Sequence, residues 1–359
     1  MESSHGSFSV DGAVQATNDE ASSSKLSCVK KGYMQDAYIQ YFVRKPTRRS
    51  PIINRGYYAR WASIRKLLLQ FLEAGSSSNN QHKKQIVSLG AGFDTLFFQL
   101  QDENHAPHLV LEVDFKEVTS KKAIIIDTYE PLRAKLGSNS DISKEQGKIF
   151  SDHYKLLPAD LRDLSSLDLI LDQANIDPSL PTLILAECVL IYLDPDVSRA
   201  LVQWAGKKFP NSIFIVYEQI HPDDGFGRQM LKNLESRGCP LLGLHDTPTL
   251  EAKIRRFIDH GWQRSEALDM DVIYNQHIDQ KDRKRIERLE LFDEFEEWHI
   301  LQEHYCISYG INDQLGIFSC FGFQSREAKE LSEGKKEDID IHGRRQSPIS
   351  CPINPYTAQ

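Results

Sequence analysis

The sequence has no long apolar run. Its longest, such as Thr182 to Cys188, fall far short of the roughly 18 residues a membrane-spanning helix needs, so no membrane partner is expected. It also lacks an excess of positive charge. Lys and Arg total 43 against 51 Asp and Glu, a formal charge of −8, which gives no general drive toward nucleic acid or anionic lipid. A local basic cluster remains at Arg44, Lys45, Arg48 and Arg49. The six cysteines, Cys28, Cys188, Cys239, Cys306, Cys320 and Cys351, form no CxxC pair and read as reduced thiols. Met1 to Val14 shows neither a basic nor an apolar signal region, so a cytoplasmic location is expected. The pairs His105/His108 and His299/His304 lack Cys or Asp companions in a familiar ligand motif, and no metal site is expected. No Ser-His-Asp or Cys-His signature is present either.

What is there is an ordinary globular composition: 359 residues, 40% hydrophobic and 26% charged, ample for one large domain. Residues 1–24 are rich in Ser, Gly, Asn and Asp and read as a disordered leader. Residues 326–359 read as a disordered charged tail, leaving a domain over 25–325. Deleting residues 1–20, or everything after Ser325, is therefore expected to leave the fold intact. Within the domain, short apolar strands (Gln85–Leu89, Leu109–Val113, Leu183–Cys188, Ile213–Tyr217) alternate with helical patterns (Ala59–Leu72, Phe115–Ile125, Pro195–Lys208). That alternation predicts a doubly wound α/β fold with a largely parallel sheet. Asp223–Gly261 reads as a helical insertion, Ile286–His304 as one strong helix, and Tyr305–Ile311 as a late strand. The segment between Thr128 and Phe150 reads as a surface excursion.

Leu89-Gly90-Ala91-Gly92-Phe93-Asp94-Thr95 joins a strand to a helix, and its glycines let backbone approach a ligand closely. A dinucleotide fingerprint would need a third glycine where Thr95 stands; a tight turn without a ligand is the plain alternative. Asp114 ends the next strand, where a carboxylate can accept from both ribose hydroxyls of a nucleoside or simply cap the strand. Asp160 in Ala159-Asp160-Leu161 can accept from an adenine amine, with Leu161 against the ring. Glu187 closes the Leu183–Cys188 strand at its carboxyl edge, where open α/β sheets bind ligands. If buried, it needs a partner. Arg60, in Asn54-Arg55-Gly56-Tyr57-Tyr58-Ala59-Arg60-Trp61, can hold a carboxylate if its helix lies over the pocket mouth, or it is a solvated helix arginine.

Taken in order, NRGYYAR, LGAGFDT, EVDF, ADLRDL, LAECVLIYL, YEQI and HYC resemble the leucine carboxyl methyltransferases from about Lys25 to Ile311. The resemblance implies a class I methyltransferase (Rossmann-like) sheet with a helical N-terminal extension and helical insertions. It implies S-adenosyl-L-methionine as cofactor, with Arg60 and Lys25 on the methionyl carboxylate and Gly90 in the glycine loop. Asp114 would take the ribose, Asp160 and Leu161 the adenine, and Glu187 would sit near the ammonium end. Tyr192 would line the substrate pocket, leaving Arg60 and Tyr192 as the residues at the chemistry. The implied substrate is the C-terminal leucine carboxylate of the protein phosphatase 2A catalytic subunit, whose methyl ester would regulate holoenzyme assembly. The enzyme itself is expected to be a monomer.

A peptide carboxyl has a pKa of roughly 3.3–3.7 and is already anionic at neutral pH, which agrees with the lack of a plausible catalytic histidine. Three alternatives stand beside this reading. One is a relative that methylates a hypermodified tRNA base (wybutosine type), which carries a large repeat-built C-terminal domain for which this chain is too short. Another is an inactive cofactor-binding adaptor of the phosphatase. A third is a nicotinamide oxidoreductase, disfavoured by Thr95.

Overall fold

The computed structural model describes residues 10–75 and 83–323. Nine strands, β1 Gln85–Leu89, β2 Leu109–Asp114, β3 Asp141–Ser143, β4 Lys148–Phe150, β5 Tyr154–Pro158, β6 Thr182–Glu187, β7 Asn211–Gln219, β8 Arg264–Asp269 and β9 Tyr305–Asp313, form one sheet. Their order is β3-β4-β5-β2-β1-β6-β7-β9-β8. The five strands from β5 to β7 run parallel, and β9 lies antiparallel between β7 and β8. The chain starts in the middle at β1, winds out through β2 to β5, then returns to β6 and winds the other way. That reversal at β1 and β6 opens a crevice at the carboxyl ends of the strands.

The central strands are buried on both faces, and their side chains divide with period two. Ile86, Val110, Leu183, Leu185, Ile213 and Ile215 enter one core, and Val87, Leu111, Ile184, Ala186, Phe214 and Val216 the other. The first core is covered by helices α1 Val10–Lys30, α2 Pro51–Glu73, α3 Leu96–Asp102 and α4 Lys116–Thr128. The second is covered by α5 Leu164–Gln173, α6 Pro195–Lys208 and, past α7 Gly225–Ser236, by α8 Leu250–Ile258. α9 Gln280–Ile286 and α10 Phe295–Glu303 precede β9. This is the doubly wound α/β architecture that the strand pattern predicts, with the helical N-terminal extension and insertions that the resemblance implies.

Three expectations change. Residues 10–24 are not a disordered leader: they are the first part of α1. The inner face of α1 is built of small hydroxyl residues, Ser22, Ser23, Ser24 and Ser27, all buried. Ser27 donates to Asn54 Oδ1 at 2.9 Å and accepts from Arg49 N at 3.0 Å. Short polar side chains make up most of its buried face, beside the buried Leu26 and Cys28, which is why composition hides it. Ile286–His304 is not one helix, because the chain leaves helical geometry after Ile286 and resumes it at Phe295. The 128–150 stretch is more than an excursion, since its β3–β4 hairpin extends the sheet beyond β5. Residues 1–9 of the leader and the 326–359 tail lie outside the described residues.

Candidate active site

The glycine loop leaves β1 and enters α3. Gly90 and Gly92 both have positive φ, +62° and +52°, which glycine adopts without steric cost. A Cβ on Gly90 would lie 2.6 Å from Val189 Cγ2, and one on Gly92 would run into the Asn18 side chain of α1. The loop is held from behind. Lys122, fully buried on α4, donates to the Asp94 carbonyl at 2.7 Å and pairs with Glu112 at 2.5 Å. Ala91 N donates to Val113 O at 3.1 Å, tying the loop to β2.

Asp114 ends β2 beside that loop, and each of its oxygens accepts one backbone bond, Gly92 N at 2.7 Å and Phe115 N at 2.7 Å. Burial pushes its carboxyl up, against the pull of those two N–H groups and Lys122. Each oxygen keeps accepting capacity for a ligand hydroxyl. One strand further along, Asp160 follows β5 and is clamped by Arg162 at 2.6 Å. That bond holds its carboxyl below the usual range. Leu161 beside it is buried in the second core. Arg162 also reaches Asp11 of α1 at 3.0 Å, so α1 is tied across this end of the site.

At the other side of the reversal, Arg60 Nε of α2 donates to Glu187 Oε2 of β6 at 2.7 Å. Glu187 is half-buried rather than deeply buried, and Arg60 is the partner it needs. The guanidinium also stands 4.7 Å from the Tyr217 ring centroid, a cation–π distance. Burial pulls Arg60 down, but Glu187 and then Cys188 outweigh that and hold it well above its ordinary value. Among the described residues the terminal nitrogens of Arg60 meet no hydrogen-bond acceptor, so the planar fork has donors left for a carboxylate. Tyr192 stands on the turn Leu190–Tyr192 after β6, its hydroxyl pushed up by burial.

Lys25 is on α1, and its three ammonium protons already have three acceptors: Asp36 Oδ2 at 3.2 Å, Asp94 Oδ1 at 3.2 Å and Thr95 Oγ1 at 2.8 Å. Burial pulls the ammonium down, yet Asp36 and Asp94 hold it above its ordinary value. Lys25 therefore braces the glycine loop, and a ligand carboxylate would have to share one of those protons. Asp36, Asn18 and Lys122 were not legible as site residues, because each acts through a partner distant in sequence.

Lys25, Arg60, Gly90, Asp114, Asp160, Leu161, Glu187 and Tyr192 all line one cavity of about 820 Å³, large for a small-molecule site. α1 supplies part of its wall, and Tyr57, Tyr217 and Tyr305 line its far end. No histidine lines it among the described residues. Among the described residues no group of side chains is arranged to hold a metal. No helix there is long and apolar enough to cross a membrane.

The leucine carboxyl methyltransferase family model matches residues 13–206. A leucine carboxyl methyltransferase 1 homolog from Arabidopsis thaliana is 62% identical over 311 residues, covering 87% of this chain and 92% of that protein. This chain belongs to the leucine carboxyl methyltransferase family. Leucine carboxyl methyltransferase 1 from Bos taurus is 37% identical over 86% of this chain and 92% of its own length. The tRNA wybutosine-synthesizing protein 4 from Homo sapiens is 42% identical over 82% of this chain, which spans 43% of that protein. Among solved structures, the plantazolicin methyltransferase BamL is similar over 84% of this chain and all of its own, with 8% identity and a TM-score of 0.43.

As a member of this family, the chain is a methyltransferase whose cofactor is S-adenosylmethionine. The donor set fits that molecule. The glycine loop leaves a cradle beside Val189 that a Cβ would fill, and Asp114 is a buried acceptor beside it. Asp160 with Leu161 offers an acceptor next to an apolar face, and the Arg60–Glu187 pair offers one charge of each sign to an amino-acid end.

Proposed function

We propose that this chain methyl-esterifies the C-terminal leucine carboxylate of the protein phosphatase 2A catalytic subunit, as a cytoplasmic monomer, and so regulates assembly of the phosphatase holoenzyme. The observation that carries the reading is the character of the cavity: no histidine stands on its described walls. Such a site suits an acceptor that arrives already ionised. A peptide α-carboxyl does so, with an ordinary pKa of roughly 3.3–3.7, and it needs no general base. When bound, S-adenosylmethionine supplies a methyl group on a positively charged sulfur, toward which a carboxylate oxygen is a sufficient nucleophile. The protein's part is to hold, orient and dry the two reactants. Asp114 and Asp160 would fix the nucleoside end, while Arg60, steadied by Glu187, would hold the methionyl carboxylate, with Lys25 lending a proton. Tyr192, with its hydroxyl kept protonated by burial, would line the path of the acceptor.

A second reading, carboxyl methylation of a hypermodified tRNA base, is supported by the 42% identity to tRNA wybutosine-synthesizing protein 4. The formal charge of −8 counts against an RNA partner. One experiment addresses both. Purified catalytic subunit, with and without its terminal leucine, and bulk tRNA are each incubated with enzyme and labelled S-adenosylmethionine. Label on the intact subunit alone supports the first reading, and label on tRNA alone overturns it.

A further inference from the structure

The two halves of α1 are held to the protein in different ways. No residue from 11 to 21 is buried, whereas Ser22, Ser23, Ser24, Leu26, Ser27 and Cys28 all are. From Ser22 onward the helix is anchored. Leu26 and Cys28 enter the first core, Ser27 bonds Asn54, and Lys25 pairs with Asp36 and Asp94. The first half is tied by polar side chains at the surface. Asp11 reaches Arg162 at 3.0 Å, Gln15 donates to Glu117 of α4 at 3.3 Å, and Glu20 pairs with Arg237 at 3.2 Å. The Asp11 and Arg162 side chains are 44% and 46% exposed, those of Glu20 and Arg237 53% and 61%, and ion pairs so open to water contribute little each. Gly12, Thr17, Asn18 and Asp19 also weaken the helix's own preference to form here.

This loosely held half still forms part of the cavity wall. Asp11, Val14, Asn18, Ala21 and Lys25 line the cavity at alternating steps of three and four, one continuous face of the helix. Asn18 lies over Gly92. A cofactor held by Gly90, Asp114 and Asp160 would lie beneath that face, between the helix and the sheet edge. Each turnover must release S-adenosylhomocysteine and admit fresh cofactor. A wall fixed at one end and loose at the other is where such a cavity opens with least disruption.

Arg162 joins that wall to the loop after β5. Its Nε donates to Asp160 Oδ1 at 2.9 Å and one terminal nitrogen to Asp160 Oδ2 at 2.6 Å, while its two terminal nitrogens donate to Asp11 at 3.2 and 3.0 Å. One planar guanidinium thus grips two carboxylates in fork geometry. We infer that residues 11–20 of α1 are a gate for cofactor exchange, hinged at Ser22, and that Arg162 is the positioning residue that latches it. Opening breaks the exposed Arg162–Asp11 and Arg237–Glu20 pairs and frays the helix back to Ser22. The buried serines and the core stay in place. Because the same guanidinium binds Asp160, the adenine acceptor and the closed gate are set together.

The test uses the full-length protein carrying Asp11→Cys and Arg162→Cys, and a bismaleimide long enough to join them. Entry and release of S-adenosylhomocysteine are timed by stopped-flow tryptophan fluorescence, Trp61 lying on the cavity wall. Both are measured before and after linking, with wild type treated alike. Linking should slow both rates at least about tenfold, entry when the empty protein is linked and release when the occupied one is. Unmoved rates in a protein whose link is verified by mass overturn the gate. If the double variant fails to bind or to link, Asp11→Asn decides, since it leaves the Arg162–Asp160 bond in place. A weakened latch should raise entry and release together, each at least about threefold, so that affinity changes less than either rate. A helix that serves as a wall alone would raise release without entry, or move neither, and that result overturns the inference. Neither outcome depends on which carboxylate is methylated.

Discussion

Arg60 and Glu187 lie 127 residues apart in the chain and meet at 2.7 Å, where the sheet reverses its winding. Each is roughly a quarter exposed, so neither charge is fully desolvated and neither is free. Removing one leaves the other partly buried and unpaired. Glu187→Gln keeps the shape and an acceptor oxygen but loses the charge that steadies Arg60. Its affinity for S-adenosylhomocysteine should fall by about tenfold, measured by calorimetry, with little change in melting temperature. Unchanged affinity would show that the pair stands outside the cofactor site.

Asp114→Ala removes two things together. It takes away the acceptor proposed for the ribose, and it releases Gly92 N, which the carboxylate holds at 2.7 Å. With one or two charge-assisted bonds lost at roughly 1.5–3 kcal/mol each, binding of S-adenosylhomocysteine should weaken by about one to three decades. Intact binding would take Asp114 out of the site.

The α1 helix gives a prediction opposite to the one composition suggests. Deleting residues 1–20 removes Asp11, which holds Arg162 at 3.0 Å, and Glu20, which holds Arg237 at 3.2 Å. It also removes Asn18, which lies over Gly92. The truncated protein should bind S-adenosylhomocysteine at least about tenfold more weakly than the full chain. Equal affinity would mean that α1 is not part of the cofactor wall.

These three cases mark what local pattern can and cannot disclose. Gln85–Leu89 and its glycines are legible because a short apolar run and a turn sit side by side, and Asp114 is legible as the next strand's last residue. β5, with Lys155 in it, and the polar edge strand β8, Arg264–Asp269, show no apolar run and go unread. α1 is hidden because most of its buried face is serine, with Leu26 and Cys28 among its few buried apolar residues. Arg60 can be named from a motif, but its bond to Glu187, and the three acceptors of Lys25, exist only once distant segments pack.

His277 supplies a stability prediction with a definite sign. Burial, and then the nearby Lys66, lower its pKa from 6.5 to about 4, so the folded ring stays neutral where the unfolded chain's ring takes a proton. The unfolded state therefore binds more protons between those values, and stability falls as pH drops from about 6.5 toward about 4. Between pH 7 and 5, wild type should lose more melting temperature than His277→Gln. A steeper loss in the variant would reverse the sign and refute the neutral, half-buried ring.

The last prediction joins pH to Arg60. If the nucleophile is a carboxylate, no group in the cavity has to change charge near neutrality for the chemical step. The side chains around Arg60 agree: burial pushes the Cys188 thiol up to about 11 and the Tyr305 hydroxyl up to about 12. Arg60 is held well above its ordinary value. The single-turnover rate should therefore be nearly flat from about pH 6 to 8.5. Arg60→Lys keeps a positive charge but loses the planar fork that can face Glu187 and a ligand carboxylate together. It should lower turnover and cofactor affinity together while the profile stays flat, because orientation is damaged and protonation is not. A rate that instead climbs about tenfold per pH unit around pH 7 would reveal a general base. The acceptor would then be protonated when it arrives, and the ionised-carboxylate mechanism would fail whatever Arg60→Lys does.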